Sequence, residues 1–451
     1  MQNNTAKKIY IKTYGCQMNV YDSDRMADLM SPFGYTQTPT AEDADLVVLN
    51  TCHIREKAED KVYSDLGRLR NLRKEKEAVG KKLMIAVGGC VGQAEGEEII
   101  RRMPFVDMVF GSQSYHNLPE MVAKAERDGK GGVNLDFSPQ PKFDFLLEQS
   151  ASNTATLAKS EFLSIQEGCD KFCTFCVVPY TRGAEYSRKS DDIITEAKNL
   201  VARGVMEITL LGQNVNAYHG SDANGNDVTL AGLVEQLANI DGLERIRYMT
   251  SHPIDMQDDL IDAHGNIAKL MPCLHLPVQS GSDNILARMN RKHKVSYYLE
   301  IIDKLRNARP DIAFSSDFIV GFPGESDADF QATLKLVETV GYAQAYSFSY
   351  SPRPGTPAAD KEDQIEEHVK VERLAELQQL IVSRQTAFNL ASVGKKMPVL
   401  LDKQGKRQGQ LLGRSPYMQS VHVFNAEQYA GQIVNVNITE AFPNSLAGEV
   451  E

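Results

Sequence analysis

Tryptophan is absent from the 451 residues, and aromatic residues together make up only 8% of them. No apolar run approaches the ~20 residues that a membrane-spanning helix needs. The opening stretch, MQNNTAKKIYIKTYG, is polar and lacks the apolar centre of a signal peptide. No membrane association and a cytoplasmic location are therefore expected. Cysteine is scarce, and its count of seven is odd in so long a chain, which argues against a secreted disulfide framework. Reduced thiols that bind metal fit better. A basic excess is missing too: 49 Lys and Arg against 60 Asp and Glu leave a net charge of −11. That excludes an overall basic nucleic-acid binder but not a local basic surface, because counterion release depends on the residues at the contact. What is present, 42% hydrophobic and 24% charged residues, suffices for sizeable cores, and the length predicts about three domains.

Three of the cysteines crowd into one loop, GCDKFCTFC, residues 168 to 176, after the apolar run FLSI. Cys169, Cys173 and Cys176 can hold three corners of a cubane iron-sulfur cluster, and no fourth cysteine follows nearby to close it. Most iron-sulfur sites have four cysteines and move electrons. A vacant position lets a site bind a reactant, as it does in catalytic zinc. A zinc site or three buried thiols are the plainer readings, but core packing gives no reason for three thiols in a loop that also carries Asp170 and Lys171. The C-x3-C-x2-C spacing, with Phe175 before the last cysteine, resembles the signature of the radical S-adenosylmethionine (SAM) enzymes. The resemblance implies that SAM chelates the open iron and that one electron cleaves it to a 5′-deoxyadenosyl radical.

Residues 1–145 alternate apolar strands with amphipathic helices, the pattern of an open parallel α/β sheet. KIYIKTY, DLVVLN and KLMIAVG read as strands, and Cys16, Cys52 and Cys90 follow just after their ends. SDRMADLMSPFG reads as a helix closed by Gly34, and REKAEDKVYSDLGRLRNLRKEKEA and QAEGEEIIRRM read as two more. The cysteines are separated by 36 and 38 residues, yet each lies at the carboxyl end of a strand, where open α/β sheets bind ligands. Convergence would give a second three-thiolate set. Unrelated thiols in strand-end turns are the alternative. His53, beside Cys52, has charged neighbours and is expected at the surface.

TYGCQMNVYDS, LNTCHIREKAEDKVYSDLGRL and GGCVGQAEGEE, followed by GCDKFCTFCVVPYTRG, resemble the methylthiotransferases, most closely the MiaB-type tRNA methylthiotransferases, and the match runs nearly the whole chain. The resemblance implies two 4Fe-4S clusters: an auxiliary one on Cys16, Cys52 and Cys90, and a SAM-binding one on Cys169, Cys173 and Cys176.

Residues 137–160 are rich in small and polar residues and read as a linker. A second domain is expected over 155–390, with strands at FLSIQ, VMEITLLG, RIRYMTS, LHLPV, IAFSSDFIVG and YAQAYSFSYS. Six such units resemble the partial TIM barrel of radical SAM enzymes, whose working residues lie at strand ends. Gln213, Asn214, Ser251, Gln279 and Asp317 are by that resemblance the SAM contacts; strand caps or turns are the alternative for each. Ser280 and His252 accompany them, and His252 could serve only the turn at Pro253. Cys273 matches neither cysteine set and reads as a packed thiol.

Residues 361–392 form a long helical pattern without Gly or Pro that leads out of the barrel. From 393 to 451 the period shortens, and strands between Gly, Pro and Asn turns suggest a small antiparallel β-barrel. Lys395, Lys396, Lys403, Lys406, Arg407 and Arg414 face one acid, Asp402, over residues 395–414. With exposed Tyr417 and His422 they suit RNA backbone contact and stacking, although a solvated hairpin would look similar. The segment resembles the TRAM domain, an RNA-binding module.

The family implies methylthiolation of C2 of N6-isopentenyladenosine at position 37 of a tRNA anticodon stem-loop, with SAM as methyl donor and radical source. An electron donor and a sulfur or cluster carrier protein are implied partners. A monomer suffices. Three rival functions compete: methylthiolation of threonylcarbamoyl-adenosine or of a ribosomal-protein aspartate, sulfur insertion into a small molecule, and metal-stabilised RNA binding without catalysis.

Overall fold

The computed structural model describes residues 6–52, 58–136, 142–145 and 159–451. His53 and most of the stretch read as a linker lie outside the described residues. The chain forms two compact units, each assembled from separate segments. The first contains Met1–Thr154, Glu167–Asp170 and Val177–Tyr186, and the second Ala155–Gln166, Lys171–Cys176 and Ser187–Glu451.

The first unit is built on a parallel sheet of β1 (Lys7–Thr13), β2 (Tyr35–Gln37), β3 (Leu46–Thr51), β4 (Met84–Gly88), β5 (Met108–Phe110) and β6 (Gly132–Asn134), in the order β2-β1-β3-β4-β5-β6. β3 is buried along its whole length because helices cover both faces. Leu46 and Val48 pack with Met26 and Met30 of α1 (Gln17–Met30) and Met121 of α4 (Leu118–Asp128). Val47 and Leu49 pack with Leu66 of α2 (Ala58–Ala78) and Val91 of α3 (Gly89–Arg102). The strand order turns at β1, so the crevice favoured for ligands opens beyond the ends of β1 and β3. As expected, Gly34 terminates the first helical stretch, at φ 83°. Part of the presumed linker is built into this unit: Lys142 and Phe143 are buried, since Lys142 finds carboxylate partners inside it.

In the second unit, strands Ser160–Ser164, Glu207–Leu211, Arg245–Tyr248, Cys273–His275, Ala313–Val320 and Gln344–Ser349 form two three-stranded parallel sheets, in chain order. A parallel bridge between Ile246 and Leu270 stands at their junction. Ile208, Leu210, Ile246, Tyr248, Leu274 and Phe318 pack outward into the helical layer. The alternate positions, including Glu207, Arg245, Arg247, His275 and Asp317, therefore face the barrel interior.

Helix Glu367–Leu390 leads to a closed barrel of strands Lys396–Gln404, Gln410–Arg414, Ser420–Phe424, Gln432–Phe442 and Ser445–Val450. Its pairings are antiparallel except that between Ser420–Phe424 and Ser445–Val450, which is parallel. The small antiparallel barrel is thus present as expected, with one parallel pairing where the last hairpin returns its second strand alongside Ser420–Phe424 to close it.

This small barrel is docked onto the larger one by two buried arginines. Arg245 donates to the carbonyls of Arg414 (2.9 Å) and Pro398 (2.7 Å), and Arg247 to those of Ser415 (2.9 Å) and Pro416 (2.7 Å). Glu207 stands 3.4 Å from Arg245 and 3.1 Å from Arg247. Tyr417 belongs to the same seam, edge-on to Phe388 and donating to Asp311. It is half-buried rather than free, so its expected role as an exposed stacking surface is corrected.

Candidate functional site

In the first unit Cys16, Cys52 and Cys90 follow or begin at the ends of β1, β3 and β4, which are neighbours in the sheet. Asn19 ties the ends of β1 and β3 together, its amide donating to the carbonyls of Tyr14 and Thr51, both at 2.9 Å. Thr51 ties β3 to the turn after β4: its hydroxyl donates to Gly88 and accepts from Val91. The approach is close, for a Cβ on Gly15 would lie 2.2 Å from Cβ of Cys52. A hydrogen bond from Cys52, opposed by burial and aided by the Arg182 charge, pulls the Cys16 thiol down to about 6. Among the described residues no three Cys, His, Asp or Glu side chains are grouped to hold one metal ion. A cubane makes no such demand, because each thiolate binds a different iron.

Gly15→Ala tests this convergence. At φ 87° alanine is strained and its methyl collides with Cys52. The variant is expected to lose about half of the iron bound after anaerobic reconstitution, with an unchanged far-ultraviolet circular dichroism spectrum.

The second set lies in one loop, and what holds that loop was not anticipated. Residues 288–291 support it: Thr174 donates to the carbonyls of Met289 (3.1 Å) and Arg288 (3.0 Å) through its amide and hydroxyl. The Asn290 side chain donates to those of Lys171 (3.3 Å) and Phe172 (2.9 Å). Arg291, itself buried, directs its guanidinium to Sγ of Cys173 at 3.7 Å. The only sequence signal was the polar cluster NRKHK after a short helix. Cys169 is anchored separately, its amide donating to Gly183 at 3.3 Å. Gly168, at φ 72°, is required there, since a Cβ would meet the Ala184 carbonyl at 1.9 Å.

The strand-end polar residues divide into two groups. Lys171 pairs with Asp255 at 2.7 Å, and Asp255 accepts from Asn214 at 2.7 Å. The backbone amides of Gln213 and Asn214 both reach Oε1 of Gln166. His252 lies edge-on to His293, ring centres 5.5 Å apart. Burial, then the charge of Arg291, holds both rings neutral, His252 down to about 2 and His293 to about 4. Oδ1 of Asn214, Oγ of Ser251, Nε2 of His252 and His293, and Nε of Arg291 are buried and find no hydrogen-bond partner among the described residues. Such atoms are seldom left unpaired, and a ligand bearing amino, carboxylate and ribose groups fits them. His252 accepts from the amide of Ile254 and so serves the turn at Pro253.

Gln279 and Asp317 form the other group, joined through their backbones at 3.0 Å. Asp317 lies within its strand rather than at the end, and its carboxylate is 3.5 Å from His275. Burial pushes the Cys273 thiol up, consistent with a packed cysteine. On the small barrel Lys395, Lys396, Lys403, Lys406, Arg407 and Arg414 are all exposed, and Lys396 pairs with Glu451. His422 is half-buried beside Gln410.

Comparison with known proteins agrees with this architecture. Residues 8–111 match Uncharacterized protein family UPF0004, residues 163–337 the Radical SAM superfamily, and residues 391–450 the TRAM domain. Among solved structures, the radical S-adenosylmethionine methyltransferase TsrM from Kitasatospora setae, with cobalamin and a 4Fe-4S cluster bound, aligns with a TM-score of 0.58 at 12% identity. The alignment covers 79% of this chain and 77% of that one, and shows a shared fold. A tRNA-2-methylthio-N(6)-dimethylallyladenosine synthase from Rickettsia felis is 58% identical over 99% of this chain and all of its own length. Another so named, from Sphingopyxis alaskensis, is 58% identical over 100% of this chain and 99% of its own. With identity of that extent over the full length, the chain belongs to the family of tRNA-2-methylthio-N(6)-dimethylallyladenosine synthases.

Proposed function

We propose that the chain is a radical SAM methylthiotransferase that replaces hydrogen by a methylthio group at C2 of N6-isopentenyladenosine, position 37 of tRNA. The observation that carries this reading is a doubled motif in a chain with such relatives: one three-cysteine set at three adjacent strand ends, another in one loop. Cys16, Cys52 and Cys90 would hold an auxiliary 4Fe-4S cluster, and Cys169, Cys173 and Cys176 the SAM-binding one. When bound, the clusters and SAM supply the radical, the methyl group and the sulfur.

The protein's own residues do the holding and sorting. Asn290 and Arg291 fix the loop that carries Cys173. Asn214, Ser251 and His252 would receive SAM, with Gln213, Gln279 and Asp317 at neighbouring strand ends. The neutral state of His252 and His293 leaves Nε2 of each ring to pair with a ligand without adding charge. Residues 1–145 would carry the auxiliary site, 155–390 the SAM site, and 393–451 the RNA contact. The target base must leave the anticodon-loop stack to be reached. An electron donor and a sulfur or cluster carrier would be needed, and the chain would act as a monomer in the cytoplasm.

Anaerobic incubation with SAM, a reductant and isopentenylated tRNA, followed by mass analysis of the nucleosides, tests the reading. The expected product is 2-methylthio-N6-isopentenyladenosine. Product appearing only on threonylcarbamoyl-adenosine tRNA would overturn the substrate assignment. The basic patch has its own test. Changing Lys403, Lys406 and Arg407 together to Gln is expected to raise KM for tRNA with kcat unchanged. If each meets one phosphate, the slope of log affinity against log salt should shrink by about 2.

A further inference from the structure

A buried cluster of four charged side chains lies beside the first cysteine set. Arg182 and Lys142 lie between Asp22 and Glu167, all four side chains 3% exposed or less. Arg182 donates to Asp22 at 3.0 Å and Glu167 at 2.9 Å; Lys142 pairs with Asp22 at 2.9 Å and also with Glu167. Arg182 further donates to Oδ1 of Asn19 at 2.9 Å, the same oxygen that faces Sγ of Cys16 at 3.6 Å. Its charge is felt at both Cys16 and Cys90. The cluster is electrically balanced, but it is not symmetric about the cysteines, since the guanidinium is the group that reaches Asn19.

Stability alone is a poor reason for four buried charges, because well-packed apolar residues of similar volume often do as well. A fixed cation in a low-dielectric interior acts strongly on a nearby redox group. The potential of an iron-sulfur cluster follows its net charge and the hydrogen bonds and charges around it. Reduction adds an electron, so a neighbouring cation favours the reduced state and a neighbouring carboxylate opposes it.

We infer that Arg182 is a positioning residue that raises the reduction potential of the cluster held by Cys16, Cys52 and Cys90, with Asp22 as its counterweight. This rests on the proposed assignment of those three cysteines. The arginine also sits next to Gly183, whose carbonyl accepts from the Cys169 amide, so one short segment serves cysteines of both sets.

The test uses the full chain with Cys169, Cys173 and Cys176 changed to Ala, so that one cluster is observed, and follows its reduction by electron paramagnetic resonance at set potentials. Arg182→Met should lower the reduced-to-oxidised ratio at a fixed potential about tenfold, about 59 mV for one electron. Asp22→Asn should raise it by a similar factor, and Arg182→Lys should stay within threefold of the parent. Should Arg182→Met fail to retain iron, the rise in Asp22→Asn, kept when Arg182→Lys is added to it, decides. Ratios that stay within threefold of the parent throughout, or that move in the same direction in Arg182→Met and Asp22→Asn, overturn the inference. A parent chain without iron would instead overturn the cysteine assignment on which it rests.

Discussion

Changing Cys169, Cys173 and Cys176 together to Ala is expected to abolish SAM cleavage to 5′-deoxyadenosine while leaving about four of about eight irons in place. Changing Cys16, Cys52 and Cys90 should also leave about four irons, but here reductive SAM cleavage persists and methylthio transfer stops. Each set should keep its iron when the other is lost, because the two are held by different residues. Asn19 and Thr51 hold the first by bridging strand ends. The second depends on the Asn290 and Arg291 support of a single loop. Iron and sulfide analysis beside a nucleoside assay separates them. Methylthiolated tRNA from the Cys16, Cys52, Cys90 variant would remove the auxiliary site from the mechanism.

The second large effect falls on stability. Glu207→Ala should destabilise the second unit by about 3–5 kcal/mol, the cost of leaving a buried charge uncompensated. Arg245 and Arg247 both depend on that carboxylate, and burial already pulls the Arg245 guanidinium down despite it. Urea unfolding would measure the change. Glu207→Gln keeps the volume and separates lost charge from lost packing. A truncation after residue 392 should behave similarly, since it strips both arginines of four carbonyl acceptors. If the truncated chain kept its unfolding midpoint and SAM binding, the small barrel would be a mere appendage.

Much of this could be read from residue order because it depends on local pattern. β1, β3 and β4 are apolar runs with a cysteine just past each end, and the parallel-sheet rule then brings those ends together. β2, β5 and β6 were missed because three residues each are too few to show a period. The SAM-loop cysteines announced themselves by spacing. Their support did not, because Asn290 and Arg291 are more than a hundred residues away and resemble any polar turn. Asp22, Lys142, Glu167 and Arg182 were invisible for another reason: a buried ion pair and a surface one have the same letters. Tyr417 misled similarly, its aromatic ring serving a seam instead of a nucleobase.

The arginine seam bears on how this protein can change over time. Arg245 and Arg247 grip main-chain carbonyls, which every residue possesses, so the attachment is indifferent to the side chains of the strands it holds. Mutations on the outer surface of the small barrel can therefore accumulate without loosening the joint. For an engineer the same indifference marks out a graft point, at which a foreign barrel with the same backbone path at Pro398 and 414–416 should seat on the two guanidinium groups.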